Sequence, residues 1–361
     1  MSRKSTVPPK AWLALENGSV YEGLSAGAGG TAQGEVVFTT SMTGYVETLT
    51  DPSYWGQIVV ATNPHIGNHG VQLEDRQWDR IAAAGYVVAD KTSPDSPGMD
   101  GRSLRRFLQE GGVVAASGLP TRDLALMIRG AGALRGVLTT EKASSKALVA
   151  LARRVPAMEG RSLSRLVSVR EPRVFGRSRR RVSLLDLGSK RALIDTLIES
   201  GVSVKAFPAR TSAATLLKEG PEAVVLSSGP GDPAAMRPEI ETTRELMRSG
   251  VPVLGICLGY QLLGLAAGAS SFKLKFGHHG ANHPVKDLQT GQVLITTQNH
   301  GFALKAGSLP SGWRETHRSL NDGTLEGFKH RHAAGLQFHP EGAPGPREAR
   351  ELVRRFLNRS S

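Results

Sequence analysis

The amino-acid sequence predicts an α/β protein, with a second half built on a mostly parallel sheet flanked by helices and a smaller mixed α+β domain before it. The chain has 361 residues, enough for two domains that each bury their own core. From residue 182 onward, apolar runs of strand length alternate with amphipathic helical segments, which is typical of a parallel sheet covered on both faces. Before residue 170, short strand-like runs and turns prevail.

The first domain is predicted to span residues 1–169. We expect strands at 12–15, 35–38 and 58–62, and helices at 102–109 and 121–129. The segment that follows, residues 170–181, is charged and aperiodic, and we interpret it as a linker. Its arginine run is interpreted as part of a solvated connector.

The second domain is predicted to span residues 182–361. Its predicted strands lie at 182–187, 202–207, 223–227 and 253–256, and its predicted helices at 190–199, 213–218, 238–248 and from Gly259 onward. In such folds, ligands bind outside the carboxyl ends of the strands, so we expect the functional residues there.

Composition excludes several classes of protein. The chain has one cysteine, Cys257, so an internal disulfide and a cysteine-based zinc cluster are both excluded. The apolar run after the basic start is too short for a secretory signal. The most membrane-like stretch, 251–269, contains Pro252 and Gln261 and fits a buried strand followed by a buried helix. We therefore expect a cytoplasmic protein without a membrane partner.

The net charge of +13 raises the alternative of a nucleic-acid binder, which salt-dependent retardation of DNA would test. Apart from the arginine run of the predicted linker, the basic residues are dispersed along the chain. Aromatic residues make up 5% of the chain, and none accompanies that run as a stacking platform. We therefore predict no nucleic-acid partner.

The segment Gly255-Ile256-Cys257-Leu258-Gly259 follows a predicted strand and opens a predicted helix. This is the arrangement of a nucleophile elbow, with cysteine in the serine position. Flanking glycines permit the sharp turn, and a helix N-terminus stabilises a thiolate. A buried structural cysteine is the alternative. The glycines and the strand–helix placement favour Cys257 as a nucleophile.

A thiol nucleophile needs a base and a group that orients the base. His339 ends an apolar strand-like run, and Pro340 favours an extended backbone at His339. Glu341, two residues further, projects to the same side and can accept the imidazole N–H. A surface histidine beside a surface glutamate is the alternative. Together with the elbow, this pair favours His339 as base and Glu341 as its orienting group.

Acyl transfer also requires donors for the developing oxyanion. The N–H of Leu258 is one candidate, and the loop at residues 227–233 offers Gly231 as another. An ordinary Gly-Pro turn is the alternative for this loop. It lacks the Gly-Lys-Ser/Thr ending of a phosphate-binding loop, and we predict neither an ATP site nor a metal site on this chain.

The three segments occur in the order Pro-Gly-Asp, Gly-x-Cys-x-Gly and His-Pro-Glu, and in this they resemble the class I (triad) glutamine amidotransferases. The resemblance covers the chain from about residue 182 to the end. In the first half, residues 34–45 (GEVVFTTSMTGY), 49–54 (LTDPSY) and 64–68 (PHIGN) resemble the amino-terminal domain of carbamoyl phosphate synthetase small subunits. Residues 275–280, 282–287 and 298–302 are also similar to that family.

This resemblance implies a hetero-oligomer. The chain would hydrolyse L-glutamine and pass ammonia to a large synthetase subunit, which would use ATP, bicarbonate and Mg²⁺ to make carbamoyl phosphate for pyrimidines and arginine. No cofactor is then expected on this chain. The residues implied to hold glutamine are Ser41, Gly229, Gly231, Leu258, Gln261, Asn299, Gly301 and Phe302. For residues 299–302, a hairpin turn is the alternative.

Two positions depart from the family pattern. Tyr260 replaces a histidine that is common after the elbow, and Pro120 replaces an aspartate that usually precedes Thr-Arg. Two alternatives to a synthetase glutaminase stay open. One is an amidotransferase serving a different synthase, which the first domain disfavours. The other is a non-catalytic assembly or regulatory subunit with a relic site, which the intact Cys257, His339 and Glu341 disfavour.

Overall fold

The computed structural model describes residues 8–91 and 102–359. The chain forms two compact units, Met1–Ala157 and Met158–Ser361. The boundary between them therefore lies before the predicted linker at 170–181, and that segment belongs to the second unit.

The described part of the first unit contains nine strands and four α-helices. The strands are β1 (Lys10–Leu15), β2 (Val20–Ser25), β3 (Thr31–Thr39), β4 (Gln57–Ala61), β5 (His65–Ile66), β6 (Gly85–Val87), β7 (Asp90–Lys91), β8 (Val114–Ser117) and β9 (Leu134–Thr139). The helices are α1 (Tyr45–Thr50), α2 (Leu104–Glu110), α3 (Thr121–Ala131) and α4 (Ser145–Arg154).

Seven of these strands close into a barrel, in the order β1-β2-β8-β6-β4-β3-β9, and β9 pairs back onto β1. The mixed α+β prediction did not include this closure. Side chains alternate between the two faces of the wall, as the period of a strand requires. Val37 belongs to an apolar cluster with Leu108 of α2, whereas Val36 points towards Gly136 of β9. A side chain at Gly136 would collide with Val36, so glycine keeps the two strands in contact.

The second unit contains ten strands and six α-helices within residues 158–359. The strands are β10 (Arg173–Phe175), β11 (Arg181–Asp186), β12 (Ser203–Pro208), β13 (Ala223–Leu226), β14 (Val253–Ile256), β15 (Ser271–Asp287), β16 (Val293–Leu304), β17 (Arg314–Ser319), β18 (Leu325–His330) and β19 (Ala333–Leu336). The helices are α5 (Ser164–Val167), α6 (Arg191–Glu199), α7 (Ala213–Leu217), α8 (Arg237–Ser249), α9 (Leu258–Ala267) and α10 (Arg350–Arg359).

All ten strands form one sheet, in the order β10-β12-β11-β13-β14-β19-β18-β17-β15-β16. The five strands from β12 to β19 in this order are parallel, as predicted. The sheet continues beyond them through β18, β17, β15 and β16, which pair antiparallel. The sequence prediction did not include this extension.

Both faces of the parallel part are covered. On one face, strand residues such as Val224 and Val253 pack with Leu246 of α8. On the other face, Val225 and Leu254 belong to a cluster with residues of α6 and α10. This two-sided burial explains why the strands are continuous apolar runs. Within residues 8–91 and 102–359, no helix is both long and apolar enough to cross a membrane.

The predicted linker is not an irregular connector. Residues Arg173–Phe175 form the edge strand β10, antiparallel to β12. Phe175 packs against the apolar cluster under that edge, and the guanidinium of Arg180 pairs with Glu222 at 2.9 Å. The apolar residues Val174 and Phe175 lie within a charged segment. They form a strand because the edge of the sheet at β12 has backbone groups free to pair with them.

Candidate active site

The predicted elbow forms as expected. β14 ends at Ile256, α9 begins at Leu258, and Cys257 between them has φ 52° and ψ −103°. Positive φ is unusual for a residue other than glycine, and it is maintained here by the surrounding structure. A Cβ at Gly255 would lie 2.5 Å from the carbonyl oxygen of Gly259, and a Cβ at Gly259 would collide with that of Leu226. The turn therefore requires both glycines.

Cys257 is buried and is linked to two other strands. Its backbone N–H donates to the carbonyl of Leu336 at 2.8 Å, which ties the elbow to the end of β19. Its Sγ lies 3.6 Å from the carbonyl oxygen of Asn299 in β16. The nucleophile candidate thus lies at the carboxyl end of the parallel strands, where the fold class predicts ligand binding.

His339 and Glu341 follow β19 and form a buried pair. The backbone N–H of His339 donates to the carbonyl of Thr297 at 2.9 Å, which fixes the segment against β16. The Nδ1 of His339 lies 2.8 Å from Oε1 of Glu341. Because a carboxylate only accepts, Nδ1 carries the proton and Nε2 carries the lone pair. Within the described part of the chain, that buried Nε2 has no hydrogen-bond partner, so it is available as a base.

A lysine that sequence reasoning missed completes this arrangement. Lys190, the residue before α6, places its Nζ 3.0 Å from Oε1 of Glu341, and both side chains are fully buried. The same ammonium donates to the carbonyls of Gly342 at 2.9 Å and Ala343 at 3.2 Å. One sequence signal was present: a lysine at a helix N-terminus opposes the helix dipole, which favours an acidic residue there.

The charges of this group fix the state of Glu341. Burial alone raises the pKa of its carboxyl group, but the Lys190 ammonium and His339 outweigh burial and lower the pKa to about 2. Glu341 is therefore ionised at neutral pH. An ionised carboxylate fixes the tautomer of His339 and stabilises the imidazolium that forms when the histidine takes a proton.

The predicted oxyanion loop lies against the elbow. The N–H of Gly259 donates to the carbonyl of Ser227 at 3.0 Å. Gly229 is held so close to Leu187 that any side chain would collide with its carbonyl, and Gly231 has φ 106°. Both glycines are therefore required by the loop. Leu258, the first residue of α9, is adjacent, since a Cβ at Gly229 would lie 3.1 Å from its Cδ2.

The other residues expected to hold glutamine in this unit lie on α9 and β16. Gln261 of α9 is buried and donates from Nε2 to the carbonyl of Phe302 at 2.6 Å. Asn299 accepts at Oδ1 a hydrogen bond from Nδ1 of His279, at 2.9 Å. Asn299, Gly301 and Phe302 are interior residues of β16, so the alternative of a hairpin turn at 299–302 is wrong.

Ser41 lies in the first unit, after β3. It is buried, and its backbone N–H donates to Oγ1 of Thr39 at 3.3 Å. Its contact with glutamine stays a prediction.

Comparison with known proteins agrees with both halves of the chain. The profile of the family described as "Glutamine amidotransferase class-I" matches residues 183–359, and that of "Carbamoyl-phosphate synthase small chain, CPSase domain" matches residues 13–138. The carbamoyl phosphate synthase small chain of Polynucleobacter asymbioticus is 44% identical, over 97% of this chain and 95% of its own length. That of Chlorobaculum tepidum is 45% identical, over 96% of each chain.

This chain belongs to the carbamoyl phosphate synthase small chain family. Its second half carries the class I glutamine amidotransferase domain of that family. Among solved structures, a glutamine amidotransferase from Thermotoga maritima covers 50% of this chain and 97% of its own, at 23% identity and a TM-score of 0.41.

Of the two departures from the small-chain pattern, Tyr260 is the better defined. Its ring packs against Phe328, with centroids 4.7 Å apart, and its hydroxyl donates to the carbonyl of Leu325 at 2.9 Å. Tyr260 is thus a core residue whose hydroxyl group has a hydrogen-bond partner. Pro120 is exposed and occupies the N-cap position of α3 without a side-chain capping hydrogen bond.

Proposed function

We propose that this chain is the glutaminase subunit of carbamoyl phosphate synthase, with Cys257 as nucleophile, His339 as base and Glu341 as its orienting group. The observation that carries this proposal is the buried pair His339–Glu341, whose Nδ1–Oε1 hydrogen bond leaves Nε2 with its lone pair. That pair follows the strand end to which the backbone of Cys257 is bonded.

In the proposed reaction, Nε2 of His339 takes the thiol proton while Sγ of Cys257 attacks the side-chain amide carbon of L-glutamine. The N–H groups of Leu258 and Gly231 stabilise the oxyanion. The imidazolium then gives its proton to the leaving nitrogen, the C–N bond breaks, and ammonia departs from a thioester. His339 next removes a proton from water, which attacks the thioester and releases glutamate and the thiol.

The strand β16 and helix α9 supply the proposed glutamine contacts in the second unit. Gln261 is held by its bond to Phe302, and Asn299 by its bond to His279, so their remaining polar groups are positioned before substrate arrives. Preorganised groups lose little conformational entropy on binding. Gly229 and Gly301 offer backbone groups to a zwitterionic amino acid, and Ser41 is the proposed contact from the first unit.

The ammonia is proposed to pass to a separate large subunit, which binds ATP, bicarbonate and Mg²⁺ and makes carbamoyl phosphate. The support is the match to small chains over nearly the whole length of both proteins. Those relatives are carbamoyl phosphate synthase small chains, and a small chain implies a larger partner. The sequence contains no Gly-Lys-Ser/Thr, the ending of a phosphate-binding loop.

The test is Cys257→Ser in the complex with the large subunit. We expect glutamine-dependent synthesis to fall on the order of a thousandfold or more, because an alcohol is a far weaker nucleophile at this site. Synthesis from added ammonia should persist, and it serves as the control for assembly. Substantial glutamine-dependent turnover in the variant would contradict the assignment of Cys257. A parent chain without glutaminase activity would favour the non-catalytic assembly subunit.

A further inference from the structure

A second cluster of titratable side chains lies on the antiparallel part of the sheet. It consists of His278 of β15, His300 of β16 and Glu326 of β18. All three are buried, and one nitrogen or oxygen atom from each lies within 4.8 Å of the others. The proposed reaction uses none of these three side chains.

His278 turns its Nδ1 towards this cluster. Its Nε2 lies 2.8 Å from Oδ2 of Asp322, so Nε2–H donates to that carboxylate. Nδ1 lies 3.7 Å from Oε1 of Glu326, beyond hydrogen-bond distance, and has no hydrogen-bond partner among the residues described. The His278 side chain is only 7% exposed. A histidine that gives one N–H to a carboxylate and turns its other nitrogen inward has the arrangement typical of metal ligands.

His300 faces two groups that only accept. Its Nδ1 lies 2.8 Å from the carbonyl oxygen of Phe302, and its Nε2 lies 2.9 Å from Oε1 of Gln298. A neutral imidazole has one N–H, so it can donate a hydrogen bond to only one of these oxygens. At the other contact, a lone pair of the ring nitrogen faces a lone pair of the oxygen. With Nδ1–H on the backbone carbonyl, Nε2 carries the lone pair. This is again a ligand nitrogen whose partner nitrogen is fixed by a hydrogen bond.

Rotating the amide of Gln298 does not remove this conflict. Its Nε2 now donates to Oε2 of Glu326 at 2.9 Å, and rotation would place the amide oxygen against that carboxylate instead. One contact of this hydrogen-bond network therefore lacks a hydrogen in either orientation of the amide. Glu326 is fully buried, and within residues 8–91 and 102–359 the group that can pair with it is a protonated His278. Burial lowers the pKa of His278, but Asp322 and Glu326 raise it to about 9, so a metal would have to displace the proton of Nδ1. A buried carboxylate is costly without a nearby positive charge.

We propose that His278 Nδ1, His300 Nε2 and the carboxylate of Glu326 bind Zn²⁺ or a chemically similar divalent transition-metal ion. Two histidines and one carboxylate form a ligand set found in zinc sites that keep a fourth position open. Ligand atoms around tetrahedral zinc lie about 3.4 Å apart. The distance of 3.7 Å between His278 and Glu326 is close to this value. All of these separations lie within 4.8 Å, and bringing the wider ones to zinc geometry requires side-chain rotation, with Gln298 moving off Nε2.

This proposal replaces the expectation of a chain without a metal site. The three ligands come from three strands that are far apart in the sequence. No short sequence motif therefore identifies them as a set. Its consequence is structural: a metal on His300 would fix the part of β16 between Asn299 and Gly301. The binding site itself does not depend on the proposed glutaminase reaction.

The test uses the full chain carrying Cys257→Ser, which removes the thiolate as a competing zinc ligand. We expect one equivalent of Zn²⁺ in competition against a chromophoric chelator. His278→Ala and Glu326→Gln, each added to this background, should weaken binding on the order of a hundredfold or more, because each removes a ligand. Asp322→Asn should weaken it by about 10–100-fold, since it only orients His278.

His283→Ala is the matched control, because its ring lies 5.5 Å from that of His278 but outside the ligand set. It should leave zinc affinity within about twofold of the background. Equal losses in the control and in His278→Ala would overturn the proposal. So would the absence of stoichiometric binding, which would show that a proton alone serves this cluster.

A measurement without ligand substitutions covers the case of variants that fail to fold. Co²⁺ added to the Cys257→Ser chain should give the intense visible d–d absorption of a four-coordinate site with nitrogen and oxygen ligands. Added Zn²⁺ should abolish that absorption by displacement. A spectrum that stays that of aqueous Co²⁺ would overturn the proposal, whatever the behaviour of the variants.

Discussion

Replacing Lys190 with methionine removes the ammonium from Glu341 while keeping an unbranched side chain of similar length. In the native protein, Lys190 lies 3.0 Å from Glu341 Oε1 and also donates to two backbone carbonyls, with no exposure to solvent. Among the residues that the structure describes, the variant therefore leaves His339 as the remaining ion-pair partner of the buried carboxylate, together with two carbonyls that have lost a donor.

Two estimates of the cost agree in size. Breaking a buried ion pair by removing one partner typically costs about 3–5 kcal/mol of stability. The pKa of Glu341 stands at about 2 against an ordinary value of 4.5. A difference of this size corresponds to about 3 kcal/mol of preference for the charged form, part of which comes from His339. We therefore expect Lys190→Met to lose about 3 kcal/mol of unfolding free energy at pH 7.

The pH dependence of this loss has a defined sign. Because the folded pKa of Glu341 is depressed, its contribution is fully present above pH 4.5 and is lost as the pH falls through about 2. Without Lys190, burial raises the pKa of the carboxyl group, so it takes up a proton at a higher pH. The stability difference between the two proteins should therefore shrink as the pH falls from 7 towards 4.5.

The assay is urea unfolding followed by circular dichroism at pH 7 and pH 5. Lys305→Met is the matched control, since Lys305 is exposed, and we expect it to change stability by less than about 0.5 kcal/mol. A loss below about 1 kcal/mol for Lys190→Met at pH 7 would refute the assignment of a buried ion pair. A loss equal at both pH values would refute the role of Glu341 ionisation.

Two further predictions concern the base and the elbow. Glu341→Gln should lower kcat for glutamine hydrolysis less than His339→Asn does, because an orienting group does not itself transfer the proton. Equal and negligible losses in steady-state assays would show that these two residues are not the base and its orienting group. Gly259→Ala should destabilise the protein by about 1–3 kcal/mol, because its Cβ would collide with the Leu226 carbonyl. Unchanged urea unfolding in that variant would show that the turn adapts.

The parts of the fold and site that were predictable from sequence rest on local signals. The strands β11 to β14 are short apolar runs between amphipathic helices, and each lies within two residues of its predicted bounds. The elbow is marked by Gly255 and Gly259. A side chain at Gly255 is excluded by a contact within the elbow, and one at Gly259 by the Leu226 carbonyl of the neighbouring strand. The pair His339 and Glu341 is likewise local, because the two residues are separated by Pro340 alone. The structure joins them through a turn closed by the Gly342 N–H and the His339 carbonyl, and not through the extended backbone predicted from the sequence.

The parts that were missed depend on contacts between distant segments. Closure of the barrel requires β1 to pair with β9. Nothing in the sequence of either strand indicates which strand it pairs with. The long strand β15 mixes buried and exposed residues irregularly, with two register shifts against β16, so it lacks a clean period. Lys190 meets Glu341 only because α6 begins beside the segment after β19. The contact between Lys190 and Glu341 cannot be read from any local spacing in the sequence.

The bond between the Cys257 N–H and the Leu336 carbonyl also has a consequence for biosynthesis. A chain emerging from the ribosome exposes Cys257 well before β19 and His339 have been made. During that interval, β14 lacks its neighbour on one side, and the thiol lacks its base. Nucleophile and base therefore become a working pair only in the last steps of folding, when β19 enters the sheet. A nascent or truncated chain ending before β19 thus carries the cysteine without the means to activate it.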